Sequence, residues 1–166
     1  MTRLPPDEHR TRPDHAPTPF SAEQIRRACA PGRINLYRIE EQDADPVLLR
    51  WEFVAGDADS AESVYETIAE DGTVVGEPAR STSRWDDLQA HASHPEDVTE
   101  IDEESVAVPA GTFECWRYAV RDGTILSTSW FAKNLPGPPV LKIDTVGGEQ
   151  VAAMTLQEVA VPGGTV

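Results

Sequence analysis

Two histidines three residues apart, His91 and His94, are the sharpest chemical signal in the sequence. Asp87 stands one helical turn before His91, so imidazole and carboxylate groups could converge there on a divalent ion. Such a set arises easily by accident in an acidic chain, and Pro95 distorts the helical spacing. We therefore predict no metal site and interpret both histidines as solvated residues at the end of a helix.

The other reactive side chains do not form a catalytic pattern. Cys115 stands among aromatic residues, which predicts a core thiol with a raised pKa and little reactivity. The serine-rich stretch 127–129 lacks the G-x-S-x-G pattern of a nucleophile elbow. The glycine pair at 147–148 is too short to cradle a phosphate. The acidic stretch 100–104 lacks the ligand spacing of a calcium loop. We therefore predict no catalytic residues and no cofactor, and the sequence favours a protein that is not an enzyme without deciding the question.

Charge and hydropathy exclude several classes of partner. The 166 residues include 29 acidic and 14 basic ones, and a formal net charge of -15 repels phosphate backbones, so we expect no nucleic-acid partner. No apolar run is long enough for a membrane span or a signal-peptide core, which predicts no membrane insertion and a cytoplasmic location. Cys29 and Cys115 should then be reduced. Only Lys133 and Lys142 are lysines, and this preference for arginine favours a GC-rich bacterial source.

The elements that would position these residues are mostly strands. The stretch 106–140 is typical of a β-hairpin that turns at Asp122-Gly123. In the stretch 47–54 every second residue is a large apolar one, which predicts a strand with one face against a core. That face carries Val47, Leu49, Trp51 and Phe53.

Two short helices accompany the strands. Ser21 and Gln24 form a capping-box pattern, which predicts a helix that runs to about Ala30. Ser83 predicts the cap of a second helix over residues 84–92, with Trp85, Leu88 and Ala92 on one face. Residues 1–19 are rich in proline and poor in apolar side chains, so we expect a disordered or loosely draped arm there, a single domain over residues 20–160 and a disordered tail over residues 161–166.

Large apolar side chains stand on both faces of several strands, which a flat sheet with one wet face would not need. We predict a mainly β fold, a curved antiparallel up-and-down sheet of about eight strands that forms an open half-barrel. The second helix would pack in or beside its concavity. A homodimer that buries the outer face is the alternative.

Three segments carry a resemblance to known proteins: V-P-A-G-T-F-E-C-W-R-Y, S-T-S-W-F-A-K-N-L-P-G-P-P-V-L-K-I and V-A-A-M-T-L-Q-E-V. Over roughly residues 98–160 the chain resembles uncharacterised bacterial half-barrel families, similar in outline to periplasmic lipoprotein-carrier proteins. The resemblance implies a half-barrel fold and supplies no catalytic residues.

Three classes of function are open at this point. The first is a binding module that holds an apolar or amphipathic small molecule in the concavity, lined by Trp51, Trp85, Trp116 and Trp130. The second is a protein-interaction domain that dimerises or pairs an edge strand with another chain. The third is a metal-assisted enzyme at His91 and His94.

Overall fold

A computed structural model describes residues 4–162 and the backbone of residues 164–165. The predictions for residues 1–3, 163 and 166 fall outside these described residues. The strands, in chain order, are β1 Ile34–Glu41, β2 Val47–Gly56, β3 Ser60–Ala69, β4 Val74–Arg84, β5 Thr99–Val108, β6 Gly111–Asp122, β7 Ile125–Ala132, β8 Leu141–Val146, β9 Glu149–Val161 and β10 Gly164–Thr165. The helices are α1 Ala22–Ala28 and α2 Trp85–Ala90, with 3₁₀ turns at Asp7–His9 and Glu96–Val98.

The strands form one open antiparallel sheet in the order β4-β3-β2-β1-β9-β8-β7-β6-β5, and β10 pairs with β9. Two meanders, β1 to β4 and β5 to β9, are joined where β1 pairs with β9. The consecutive strands β4 and β5 therefore lie at opposite edges, and α2 belongs to the segment that connects them. The sheet confirms the predicted mainly β, open antiparallel class, with nine strands in the main path.

The two helices follow the predicted local signals to different degrees. Ser21 and Gln24 form the capping box at the start of α1, with backbone to side-chain distances of 3.2 and 2.9 Å. The prediction that Ser83 caps α2 is wrong. Ser83 belongs to β4, where it pairs with Ala61, and Arg84 occupies the cap position without a side-chain hydrogen bond. Strand pairing with β3 has overridden the local capping preference.

The core consists of two clusters. The first joins the helices to the sheet and contains Phe20, Ile25, Cys29, Phe53, Ala61, Trp85, Trp116, Tyr118 and Phe131. The second lies around Tyr37 of β1 and Leu156 of β9, and it includes Leu135 and Val140 of the loop between β7 and β8. That loop, residues 133–140, is called the β7–β8 loop below. The helices thus occupy one part of the concavity.

Residues 4–20, called the N-terminal strap below, contact the sheet and the segment after α2; the disordered or loosely draped arm predicted for residues 1–19 stays a prediction. Ala16, Thr18 and Phe20 are buried. The Ala16 N–H donates to the His94 carbonyl at 3.0 Å, and the Tyr118 hydroxyl donates to the Pro17 carbonyl at 2.6 Å. Both partners are distant in sequence, so composition alone could not indicate them. At the other end, Val161 belongs to β9, within the tail predicted to be disordered.

None of the described helices has the length and apolar character that crossing a membrane requires.

Candidate functional site

A cavity of about 470 Å³ lies between the sheet, α2, the N-terminal strap and the β7–β8 loop. This volume is within the range of roughly 300–1,000 Å³ that small-molecule sites occupy. Its lining combines apolar and ionisable side chains contributed by β2, β6, β7, β8 and β9 as well as by α1 and the segment that follows α2. The cavity is the candidate functional site.

Aromatic and aliphatic side chains form the floor of the cavity. Phe20, Ile25, Phe53, Tyr118 and Phe131 line it, and all five are buried. The Phe131 ring meets Phe20 and Tyr118 edge to face, with centroids 6.3 and 5.5 Å apart. Because the Tyr118 hydroxyl is already bonded to the N-terminal strap, the floor presents mainly hydrocarbon to the cavity.

A polar band follows the floor along β7 and β8. Ser129 pairs with Lys142, and Ser127 pairs with Asp144 two residues nearer the β6–β7 turn. Paired residues on neighbouring strands share a face, and all four side chains line the cavity. The Ser127 hydroxyl donates to Asp144 Oδ1 at 2.6 Å. Because side chains alternate between the two faces of a strand, β7 and β8 therefore place hydroxyl, ammonium and carboxylate groups above an apolar floor.

The mouth of the cavity lies between the end of α2 and the β6–β7 turn. Three of the lining residues there, His91, Asp122 and Ile125, are exposed to solvent. Gly123 makes the turn with φ 61°, as the Asp122-Gly123 pattern predicts. The lining of the cavity therefore changes from apolar at the floor to more polar toward the mouth.

Of the weak metal candidates, His91 and His94 line the cavity and Asp87 does not. His94 is half-buried, and burial lowers the pKa of its imidazole, as do the positive charges of His15 and Lys142. In the described part of the chain, no three His, Cys, Asp or Glu side chains come together as metal ligands.

The loop that forms one wall of the cavity is held by a buried arginine that sequence analysis did not identify. The Arg33 guanidinium donates to the Pro136 carbonyl at 2.7 Å, to the Ala28 carbonyl at 3.2 Å and to Asn35 Oδ1 at 3.2 Å. The Tyr37 hydroxyl donates to the Pro139 carbonyl at 2.9 Å. These bonds fix the β7–β8 loop against β1 and the end of α1.

Of the four tryptophans predicted to line a ligand site, Trp51 lines the cavity. Its indole N–H donates to Ser63 Oγ at 3.0 Å, and its ring centroid lies 5.3 Å from that of Phe53 and 5.2 Å from that of Tyr65. Trp85 instead anchors the start of α2, since its indole N–H donates to the Asp57 carbonyl at 2.9 Å.

The other two tryptophans also lie away from the cavity lining. Trp116 is buried in the first core cluster, with Lys133 Nζ 4.1 Å from its ring centroid. The Trp130 indole N–H donates to Glu104 Oε2 at 2.7 Å in a separate surface groove. Ligand binding by these side chains stays a prediction, and the structure brings only Trp51 to the cavity.

Both cysteines are free and buried. Burial, followed by the nearby Glu114 and Glu104 carboxylates, raises the pKa of Cys115 to about 11. Burial also raises the pKa of Cys29, although the positive charge of Arg33 opposes that effect. A thiol with a raised pKa forms little thiolate at neutral pH, as predicted for Cys115.

No protein-family model matches the chain, and neither a curated protein nor a solved structure matches it.

Proposed function

We propose that this protein binds an apolar or amphipathic small molecule in the cavity between the sheet and the helices. The cavity itself carries the proposal: about 470 Å³, with a buried aromatic floor and a polar band toward an exposed mouth. Apolar walls with a few placed polar groups are the usual composition of small-molecule sites. If these residues served only to pack the core, ionisable groups along one wall would not be needed.

The lipoprotein-carrier resemblance is part of the same proposal. An open sheet with helices in its concavity suits the sequestration of an apolar chain, because the strands supply one wall and the helices another. The bacterial source and the cytoplasmic location also remain proposals. The acidic surface, with a net charge of -15, keeps such a carrier soluble and away from anionic surfaces.

A chain-length series tests the binding function. The protein is titrated with straight-chain alcohols of increasing length, and displacement of Nile red is followed by fluorescence. Each buried methylene contributes about 0.8 kcal/mol, so the Kd should fall about fourfold per added carbon until the cavity is filled. Trp51 should report the same event, and its signal should disappear in Trp51→Phe and persist in Trp85→Phe.

An occlusion variant supplies the control. Ala92 lines the cavity, whereas Ala90, two residues earlier, is exposed and does not. Ala92→Phe should weaken binding strongly, and Ala90→Phe should leave it unchanged. If wild-type protein binds none of the alcohols, or if both variants bind like wild type, the proposed cavity function is wrong.

A second candidate function is association through the edge strand β4. Ten of its eleven residues are exposed, and Val74 and Val75 are 51% and 52% exposed. An edge strand offers backbone groups to another chain, so pairing of two copies would form a homodimer. Sedimentation equilibrium over a range of concentrations tests this, with Val75→Lys expected to dissociate the dimer. A monomer at all concentrations would exclude self-association.

A further inference from the structure

Lys142 differs from the chain's other lysine in its surroundings. Lys133 lies over Trp116 and pairs with Glu103, whose Oε1 is 2.6 Å from Nζ. Lys142 lines the cavity and is only partly exposed, and among residues 4–162 it makes no ion pair within 4.0 Å. In a chain with a large excess of acidic residues, a lysine that lines a cavity and forms no ion pair with a described carboxylate requires an explanation.

No described carboxylate on the cavity wall forms a direct ion pair with this ammonium. Asp144 stands two residues along β8, where its carboxylate accepts the Ser127 hydroxyl and lies more than 4.0 Å from the Lys142 ammonium. Asp122 lies at the exposed mouth. His94, across from β8 on the segment after α2, is close enough for the positive charge of Lys142 to act on its imidazole. Lys142, with the Ser129 hydroxyl paired opposite it, therefore forms the cationic part of this wall, and the carboxylates of Asp144 and Asp122 lie nearer the mouth.

We propose that Lys142 receives the anionic headgroup of an amphiphile whose hydrocarbon chain lies on the aromatic floor. This inference rests on the proposed binding function and names its ligand class. The headgroup is a carboxylate, as in a fatty acid, or a phosphate, as in a lipid fragment. The Ser129 hydroxyl, opposite Lys142 across the β7–β8 pair, supplies a second hydrogen bond.

The geometry also defines the direction of the ligand. In β7, Phe131 belongs to the floor, Ser129 and Ser127 follow, and Ile125 stands at the mouth. A headgroup at Lys142 therefore lies between the floor and the solvent, and a chain that runs from it toward Phe131 and Phe20 is covered. The reverse orientation would bury the charge against aromatic rings, which is far less favourable.

The test compares ligands that differ only in headgroup. Wild-type protein is titrated with dodecanol, dodecanoate and dodecyl phosphate, below their micelle concentrations, and the Kd of each is measured by displacement of Nile red. A hydrogen-bonded charged pair predicts that at least one anion binds about tenfold tighter than the alcohol. Lys142→Met should remove this advantage and leave dodecanol unchanged, and Lys142→Arg should keep most of it.

Lys133→Met is the matched control, because it removes the same charge from outside the cavity and should preserve the preference for anions. Which anion binds tighter identifies the source of the headgroup. Equal affinity for alcohol and anions in wild type, or an anion preference that survives Lys142→Met, overturns the inference while the cavity function stands. Failure of all three ligands, dodecanol included, overturns the proposed function instead.

Discussion

Replacement of Gly137 by alanine tests the packing of the cavity wall most directly. Gly137 lies in the β7–β8 loop, lines the cavity and has φ 132°, a conformation that residues with a side chain rarely adopt. A Cβ at this position would stand 2.9 Å from Cys29 Sγ and 3.2 Å from Arg33 Nη1. Neither neighbour can move easily, because Cys29 is buried at the end of α1 and Arg33 is bonded to Pro136.

Two costs add at this position. Backbone strain in a region that favours glycine costs about 1–3 kcal/mol, and forcing a methyl group into packed surroundings costs about 1–3 kcal/mol more. Gly137→Ala should therefore lower the free energy of unfolding by about 2–6 kcal/mol, a large part of the roughly 5–15 kcal/mol that holds an ordinary domain together. Equilibrium urea unfolding, followed by far-UV circular dichroism, measures the difference.

Gly123→Ala is the matched control. Gly123 also has a positive φ, 61°, but a Cβ there would meet no atom within 4 Å. It should cost only the backbone term of about 1–2 kcal/mol. Combining Gly137→Ala with Cys29→Ala should recover part of the loss, because the closest contact is removed. If Gly137→Ala and Gly123→Ala destabilise equally, the steric reasoning about Cys29 and Arg33 is wrong.

Two further predictions concern Trp51 and His94. Trp51→Ala should destabilise the fold by about 3–5 kcal/mol, because it removes a ring packed between Phe53 and Tyr65; an unchanged melting temperature would contradict this packing. Folding lowers the pKa of His94 from 6.5. As the pH falls, the unfolded chain therefore takes up this proton before the folded protein does. The stability that is present above pH 6.5 should decrease as the pH falls through the folded pKa. Urea midpoints between pH 8 and 5 measure this slope, and His94→Gln should reduce it; a slope that the substitution does not alter would show that other groups cause it.

The local features of this protein follow from the sequence. The Ser21 and Gln24 capping box, the Asp122-Gly123 turn and the apolar alternation of β2 are each encoded within a few residues. Their physical causes act over the same short range. These causes are hydrogen bonds to the groups at a helix end, a glycine that tolerates a positive φ, and one strand face that is buried. The open antiparallel class could therefore be predicted.

The site, in contrast, depends on contacts between segments far apart in the chain. Trp51 reaches the cavity while Trp85, equally apolar, is used to anchor α2 to the β2–β3 turn. Lys142 could not be singled out in the sequence, because only the fold shows that it lines the cavity and that no carboxylate of residues 4–162 forms an ion pair with it. The path of the N-terminal strap depends on hydrogen bonds to residues far along the chain, among them Tyr118 and His94. Local composition does not indicate such long-range pairings, so only the tertiary structure decides which side chains line the cavity together.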